Sequence, residues 1–267
     1  MWPLPASSVH NVDMTAVPGT QVIGRAAAVL RAVSAAMPRG LGTTAVATAT
    51  GLSRPTAHRL LASLAAEGFV DHDAATARWV PGPELYLLGA VAAERYDVTA
   101  VARPFVASLA AASGESAFLS ARRGDETVCL LREDGSFPIR SHVLYEGIRF
   151  PLGVASAGLA ILAFLLAAAV ERYLASADLG AFGDAHSPDR VRARVEVTRS
   201  TGYAVNPGLL VEGSWGMGAA VFDAAGQPAW ALSLTGIQAR FSDERRPELG
   251  RLLLDHAHRL TQALQHR

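Results

Sequence analysis

The spacing of apolar residues predicts three helices near the start of the chain. Over residues 21–37 and again over 53–67, apolar residues recur at intervals of three and four, which places them on one face of a helix. A shorter helix is predicted over 43–50, between the breakers of PRGLG and a later glycine. The hydroxyl of Thr43 or Thr44 is expected to accept a hydrogen bond from a free N–H group in its first turn.

The third helix has clear start and stop signals. Ser53 is expected to cap its N-terminus, Pro55 is tolerated in its first turn, and Gly68 is expected to end it in the left-handed conformation. Two β-rich stretches, FVDH and ARWV, follow around a DAAT turn and indicate a hairpin. The order helix, helix, turn, helix, hairpin predicts a winged helix-turn-helix domain over residues 21–81.

The third helix also has two chemically different faces. One is a continuous apolar stripe, which must pack against the first two helices; its residues are Ala57, Leu60, Leu61, Leu64 and Ala65. The opposite face carries Arg59 beside the small residues Ala62 and Ala66, which suits a DNA major groove ~12 Å wide. An ordinary solvent-exposed face is the alternative for this helix taken alone.

Charge is unevenly distributed along the chain. Residues 21–70 carry five arginines and one glutamate, whereas residues 98–267 carry equal numbers of acidic and basic residues. A basic head on a neutral body fits a DNA-binding domain joined to a second domain, although ordinary scatter would also explain it. The residues that we expect to contact DNA are Thr44, Ser53, Arg54, Thr56, His58, Arg59, Ser63 and Arg78.

Residues 82–97 are predicted to form a linker helix that also mediates dimerisation. A Pro-Gly-Pro sequence at 81–83 interrupts the chain and indicates a domain boundary. An apolar stripe follows at helical spacing, formed by Leu85, Leu88 and Ala92. Because an exposed apolar stripe needs a partner, and a second copy of the chain is the simplest one, we expect a homodimer.

Helices alternate with paired strands over the remaining residues, 98–267. The predicted helices span 98–112, 156–174 and 188–200, and Ser242 is expected to cap a long C-terminal helix. The predicted hairpins span 116–131 and 218–236, with a mixture of strand and loop at 136–150. This order indicates an α+β domain with an antiparallel sheet and with its helices gathered on one face.

Residues 154–170 contain no charge, and their length is at the short edge of a membrane span. Much of the segment is alanine, with Ser156 and Gly158 among the rest, so its hydrophobicity is moderate. A helix buried on all sides explains the segment better than a membrane span. We therefore expect no membrane partner.

Composition limits the possible classes of protein. Half of the residues are apolar and the formal net charge is zero, so no overall field drives the chain onto nucleic acid or membrane. Cys129 is the single cysteine, which excludes an intrachain disulfide and a cysteine zinc site and favours a cytoplasmic location. Residues 1–20 do not resemble a signal peptide and are expected to be a disordered tail; Met14 could be the true start.

No pattern typical of an active site or a metal centre is present. GVASAG at 153–158 lacks the spacing of a nucleophile elbow, and His256 and His258 are two apart, so they cannot share a helix face. We expect no enzymatic activity, no metal and no cofactor. Cys129 is expected to be a buried apolar residue. His142 and Tyr145 fit a pocket and a surface loop equally well.

Several motifs resemble those of one family. GLSRPTAHRLLASLAAEGFV at 51–70 resembles the recognition-helix region of IclR-type transcriptional regulators, which runs roughly G-L-x-K/R-x-T-x-H/Y-R-L-L-x-x-L-x-x-x-G. FPLGVASAGLAILAF at 150–164 is similar to the family's P-L-x-x-T-A-x-G-K-A-x-L-A. RPFVASLAAASGES, STGYAV and AWALSLTG also match in order, so the resemblance covers residues 21–265.

The resemblance implies a fold and a function. It implies a winged helix-turn-helix, a linker helix and a GAF-like effector-binding domain. It also implies dimers, or dimers of dimers, that bind palindromic operator DNA and regulate a nearby operon. A small molecule, often an organic or aromatic acid, would switch the regulation. No cofactor is implied.

This chain departs from the family pattern at residues that would border the effector. Leu159 replaces a lysine, and in LLVEGSWGMGAAVF at 209–222 Leu209, Gly216 and Ala220 replace a common acid, cysteine and proline. Together with Trp215, these changes predict a more apolar pocket and an aromatic or otherwise apolar effector. The residues that we expect to contact it are Phe118, Val154, Ala157, Leu209, Trp215, Gly216, Met217 and Ser233.

The sequence therefore predicts a ligand-responsive transcriptional regulator, interpreted as a repressor of a neighbouring catabolic operon. Helix 53–67 would read double-stranded operator DNA, and residues 98–267 would bind a small organic effector. The alternative is a ligand-sensing or protein-interaction module that does not bind DNA.

Overall fold

The computed structural model describes residues 21–96 and 98–266. The predicted tail, residues 1–20, lies outside the described residues. The chain divides into two compact units between residues 96 and 97.

The N-terminal unit begins with three helices: α1 (Gln21–Ala35), α2 (Thr43–Thr50) and α3 (Arg54–Ala66). The Ser53 hydroxyl caps α3 by accepting a hydrogen bond from the Thr56 N–H at 3.4 Å, as predicted. Gly68 follows α3 with a φ of +74°, a left-handed conformation in which glycine has no steric penalty. The apolar stripe of α3 packs against α1 and α2, with Ala57 and Leu61 fully buried.

The prediction that Thr43 or Thr44 caps α2 is wrong. The residue before the helix is Gly42, and no side chain caps the free N–H groups. The Thr43 hydroxyl instead accepts a hydrogen bond from Trp79 Nε1 at 3.0 Å, while Thr44 is exposed. A tertiary partner far along the chain has taken the place of the local cap.

The wing is the antiparallel pair β1 (Val70–Asp73) and β2 (Arg78–Pro81). Leu41 adds to its edge through two backbone hydrogen bonds with Trp79, each 2.9 Å long. Arg78 Nη1 also donates to the Gly40 carbonyl at 3.1 Å. These contacts join the wing to the loop that precedes α2.

Helix α4 (Pro83–Tyr96) follows the wing and corresponds to the predicted linker helix. Leu85 is half-buried and Leu88 is exposed, and the side chain of Ala92 lies outside the described residues. The exposed apolar surface of α4 is larger than the predicted stripe, because it also includes Tyr86, Leu87 and Val91.

The C-terminal unit is built on a six-stranded antiparallel sheet in the order β5-β4-β3-β8-β7-β6. Its strands are β3 (Ser116–Arg123), β4 (Glu126–Glu133), β5 (Arg149–Pro151), β6 (Ala204–Pro207), β7 (Ser214–Phe222) and β8 (Pro228–Ile237). Its longer helices are α5 (Val98–Ser113), α6 (Ser156–Ala163), α7 (Ala167–Ser176), α8 (Pro188–Thr201) and α9 (Arg246–Gln265). The α+β class, with two predicted hairpins in an antiparallel sheet, is confirmed.

Helices cover both faces of the sheet, which corrects the prediction that they gather on one. Met217 and Leu234 point to the face that packs against α5 and α9. Gly216 and Gly218, on the alternate positions of β7, face the start of α6. The central strands are therefore buried on both sides.

The segment predicted to be helical over 156–174 is mostly helical, as two helices separated at 164–166, and every residue of α6 is buried. One predicted helix start is wrong. The C-terminal helix starts at Arg246, after a turn that contains Ser242, and Ser242 does not cap it. None of the described helices is long and apolar enough to cross a membrane.

Candidate DNA-binding and effector sites

The outer surface of α3 carries most of the predicted DNA-contacting side chains. Arg54, His58, Arg59 and Ser63 are exposed, and Thr56 is half-buried with its hydroxyl 2.9 Å from that of Ser53. An open depression of about 480 Å³ lies along this surface, lined by Thr43, Arg54, Pro55, His58 and Arg59. Two arginines thus border a concave surface beside the uncapped N-terminus of α2, an arrangement that favours an anionic partner.

The wing carries charges of both signs. Asp71 and Asp73 are exposed on β1, and Arg78, a predicted DNA contact, is exposed opposite Asp73 on β2. The Asp73 carboxylate accepts hydrogen bonds from Thr76 Oγ1 at 2.6 Å and from the Ala75 N–H at 2.9 Å. These bonds, led by that from Thr76, hold the pKa of Asp73 below its usual range. The outer face of α3, which has two arginines and no acidic residue, is therefore better suited to phosphate than the wing.

A small cavity in the C-terminal unit lies between the start of α6 and the sheet. Its lining residues are Val143, Leu144, Ala155, Ser156, Asn206, Leu210, Ser214, Trp215, Gly216 and Thr235. Its free volume is about 20 Å³, which is enough for about one water molecule. A larger ligand would require the surrounding loops to open.

Two buried hydroxyls on β8 lack partners, one in the cavity and one beside it. The hydroxyls of Ser233 and Thr235 have no hydrogen-bond partner among the described residues, and Thr235 lines the cavity. The first backbone N–H groups of α6 likewise have no side-chain cap. Because buried polar groups normally find partners, these groups are available to a polar ligand.

The cavity residue Asn206 forms hydrogen bonds with two neighbouring segments of the chain. Asn206 Nδ2 donates to the Val154 carbonyl at 2.9 Å, and its Oδ1 accepts from the Leu209 N–H at 2.9 Å. The hydroxyl of Ser214, at the start of β7, lies 2.6 Å from that of Ser141, so a hydrogen bond joins this lining residue to the segment before β5.

The structure brings some of the predicted effector residues together and separates others. Trp215 and Gly216 border the cavity, and Ser233 pairs in register with Phe118, which packs against the cavity residue Leu144. Val154 and Ala157 are buried in the apolar cluster around α6. The Val154 carbonyl and the Leu209 N–H each form a hydrogen bond with the cavity residue Asn206. Met217 does not join this group, because strand alternation points it to the α5 and α9 face.

Trp215 borders the cavity and also has contacts on the other side of the sheet. Its ring lies below the Arg246 guanidinium, 5.3 Å from the ring centre, and packs against the α5 and α9 cluster. Sequence reasoning missed Asn206 and Thr235. The available signal for both was a buried polar residue in an otherwise apolar stretch.

The other residues singled out in the sequence have structural roles or are exposed. His142 and Tyr145 are exposed, which favours the surface-loop interpretation. His256 is buried and its ring nitrogens lie 2.8 Å from the Leu252 carbonyl and 3.2 Å from the Ser108 hydroxyl.

Cys129 is buried beside Phe118 and Leu144, as predicted. Burial, together with the negative charge of Glu146, raises the pKa of its thiol to about 12. At about pH 8 its thiolate population should be on the order of a thousandfold smaller than that of a free cysteine. Iodoacetamide labelling followed by mass spectrometry should therefore be very slow in the folded protein and fast in concentrated urea; equal rates in both conditions would contradict this burial.

The two sites together define a DNA-binding regulator with a ligand-binding domain. The sequence model of the IclR helix-turn-helix domain matches residues 22–74, and that of the "Bacterial transcriptional regulator IclR C-terminal" domain matches residues 90–262. The chain therefore belongs to the IclR family of transcriptional regulators. It is a regulator with a helix-turn-helix DNA-binding domain rather than an enzyme.

Individual proteins show the same relationship. The chain is 33% identical to the glycerol operon regulatory protein of Streptomyces coelicolor, over 86% of this chain and 90% of that protein. It is 29% identical to the transcriptional repressor AllR of Salmonella typhimurium, over 95% of this chain and 93% of that protein. An IclR homologue from Microbacterium hydrocarbonoxydans, solved in complex with 4-hydroxybenzoate, has a TM-score of 0.75 and 19% identity, covering 92% and 100% of the two chains. This last likeness shows the shared fold alone.

Proposed function

We propose that this regulator acts in the cytoplasm as a repressor of a neighbouring catabolic operon, and that a small organic effector relieves the repression. The relatives named above include a repressor and an operon regulator, which supports this direction of control. The outer face of α3, with Arg54, His58 and Arg59, would read the operator. The effector acts only through a difference in its affinity for the two DNA-binding states.

The exposed apolar surface of α4 supports a dimer on a palindromic operator, either alone or within a dimer of dimers. Tyr86, Leu87, Leu88 and Val91 are all at least half exposed in the single chain. Pairing through α4 would bury them and would set two recognition helices about one DNA turn apart, ~34 Å. The operator would then mirror the twofold symmetry of the protein.

Replacing Leu88 by glutamate should shift the protein toward the monomer, because the charge would be buried without a partner in the paired α4 surface. Val197, an exposed apolar residue of α8, offers the matched control: Val197→Glu should leave the oligomeric state unchanged. Sedimentation velocity measures both variants. A Leu88→Glu protein that sediments like the wild type would contradict pairing through α4.

The cavity in the C-terminal unit is the proposed effector site. The single observation that carries this assignment is the pair of buried, unpartnered hydroxyls of Ser233 and Thr235 near the uncapped start of α6. Val143, Leu144 and Leu210 supply apolar contacts beside these groups. The apolar or aromatic effector expected from the sequence would therefore also need an anionic or hydroxyl head group. The family relative bound to 4-hydroxybenzoate suggests this class of compound.

A thermal-shift screen tests this assignment. The panel should contain 4-hydroxybenzoate, benzoate and short aliphatic acids, each with its uncharged alcohol or hydrocarbon analogue. We expect at least one acid to raise the melting temperature, since a ligand that binds only the folded state stabilises it. The same acid should release the protein from DNA taken from the region upstream of its gene. If only uncharged apolar compounds stabilise the protein, the proposed head-group contacts are wrong.

A further inference from the structure

Strand β7 approaches the start of α6 closely at two glycines, Gly216 and Gly218. A Cβ atom built on Gly216 would lie 3.1 Å from Ser156 Oγ and 3.7 Å from Ser156 Cβ. The first distance is tighter than ordinary van der Waals contact, whereas the second is normal. The conflict at position 216 is therefore with the hydroxyl of Ser156 and not with the helix itself.

Gly218 shows a different conflict two residues further along the same strand. A Cβ atom there would lie 2.8 Å from the Ser156 carbonyl oxygen and 3.1 Å from the Ala157 nitrogen. These are backbone atoms, so no change of the Ser156 side chain could relieve the clash. Gly218 sets the distance between helix and strand, and Gly216 leaves space for one particular side chain.

Helix α6 cannot easily move away to make more room. Before the helix, the Tyr173 hydroxyl donates to the Leu152 carbonyl at 2.7 Å, and Asn206 donates to the Val154 carbonyl at 2.9 Å. After the helix, Arg199 Nε donates to the Ala163 carbonyl at 2.7 Å. Because both ends are tied and all of its residues are buried, a side chain added at position 216 must displace the Ser156 hydroxyl.

Ser156 is also well placed to contact a ligand. It is 3% exposed, it lines the effector cavity, and its hydroxyl makes no hydrogen bond within the described residues. Thr235, with its unpartnered buried hydroxyl, lines the same cavity.

We propose that the Ser156 hydroxyl is a specificity-determining contact for the effector, and that glycine at position 216 lets this hydroxyl keep its place, which a methyl group there would shift by a few tenths of an ångström. This inference rests on the proposed function of the cavity. The hydroxyl would donate a hydrogen bond to the anionic head group of a small organic acid. A site built around such a bond discriminates against ligands that lack the matching group, because its own polar group is then left unpaired.

The packing half of the proposal is tested without any ligand. Gly216→Ala should lower the melting temperature, and the double variant Ser156→Ala/Gly216→Ala should recover most of that loss because the clashing hydroxyl is gone. Gly218→Ala is the matched control: its loss should not be recovered by Ser156→Ala. Losses that simply add for Gly216→Ala and Ser156→Ala would overturn the steric pairing.

The binding half uses 4-hydroxybenzoate and the other acids of the thermal-shift panel, with affinity measured by calorimetry. Ser156→Ala should weaken the binding of the best acid about tenfold or more, as expected for a hydrogen bond to a charged group. The folded double variant should bind as weakly as Ser156→Ala. Unchanged affinity in Ser156→Ala would overturn the specificity role and leave the cavity assignment intact. A wild type that binds none of the acids would overturn both.

Discussion

Replacing Glu115 by glutamine is expected to lower the free energy of unfolding of the C-terminal unit by roughly 3 kcal/mol. The Glu115 side chain is 2% exposed, and its Oε1 lies 2.7 Å from both Arg240 Nε and Arg245 Nη1. Arg245 also donates to the Ser113 carbonyl at 2.6 Å. A neutral amide would leave two partly buried guanidinium groups without their counter-charge. The ion pairs that join the segment after α5 to the segment before α9 would then be lost.

The matched control is Glu171→Gln, which removes an exposed carboxylate in place of a buried one. Glu171 pairs with Arg192 at 2.8 Å, but its side chain is 56% exposed. Exposed ion pairs contribute between 0 and ~1 kcal/mol, so Glu171→Gln should change stability little. Urea unfolding, followed by circular dichroism, measures both. Similar losses for the two variants would show that burial of Glu115 has no special importance.

Replacing Arg59 by alanine should weaken operator binding by about 1–3 kcal/mol, which corresponds to about 5–150-fold in affinity. Arg59 is exposed on the outer face of α3 and lines the open depression with Arg54 and His58. If Arg59 reads a guanine, the loss should be larger on the specific site than on unrelated DNA. Arg251→Ala, which removes the same charge from an exposed position of α9, is the control.

Local signals in the sequence predicted the N-terminal unit well. Ser53 and Gly68 define the ends of α3 through interactions within a few residues, so their roles can be read without the fold. Thr43 could not be assigned in this way, because its partner Trp79 is distant in sequence and only the folded wing brings the two together. Local propensity fails where a tertiary partner competes for the same hydroxyl.

The lining of the cavity in the C-terminal unit, the proposed effector site, was harder to predict for a related reason. Strand β7 is buried on both faces, so its sequence does not alternate between apolar and polar residues, and the sides of Trp215, Gly216 and Met217 were not evident. The resemblance to a family directed attention to residues 209–222, and part of that segment lines the cavity. The roles of Ser156, Asn206 and Thr235 depend on how three separate elements meet, and that arrangement is visible only in the fold.

The most direct test of DNA binding through α3 is a salt series of dissociation constants. The probes are a DNA fragment from the region upstream of the gene and a scrambled fragment of equal length, each titrated with wild type, Arg59→Ala and Arg251→Ala. The wild type and Arg251→Ala should prefer the upstream fragment, with affinity falling as salt increases; Arg59→Ala should lose most of that preference. Unchanged affinity and an unchanged salt slope in Arg59→Ala, relative to wild type, would contradict the assignment of α3 as the helix that reads DNA.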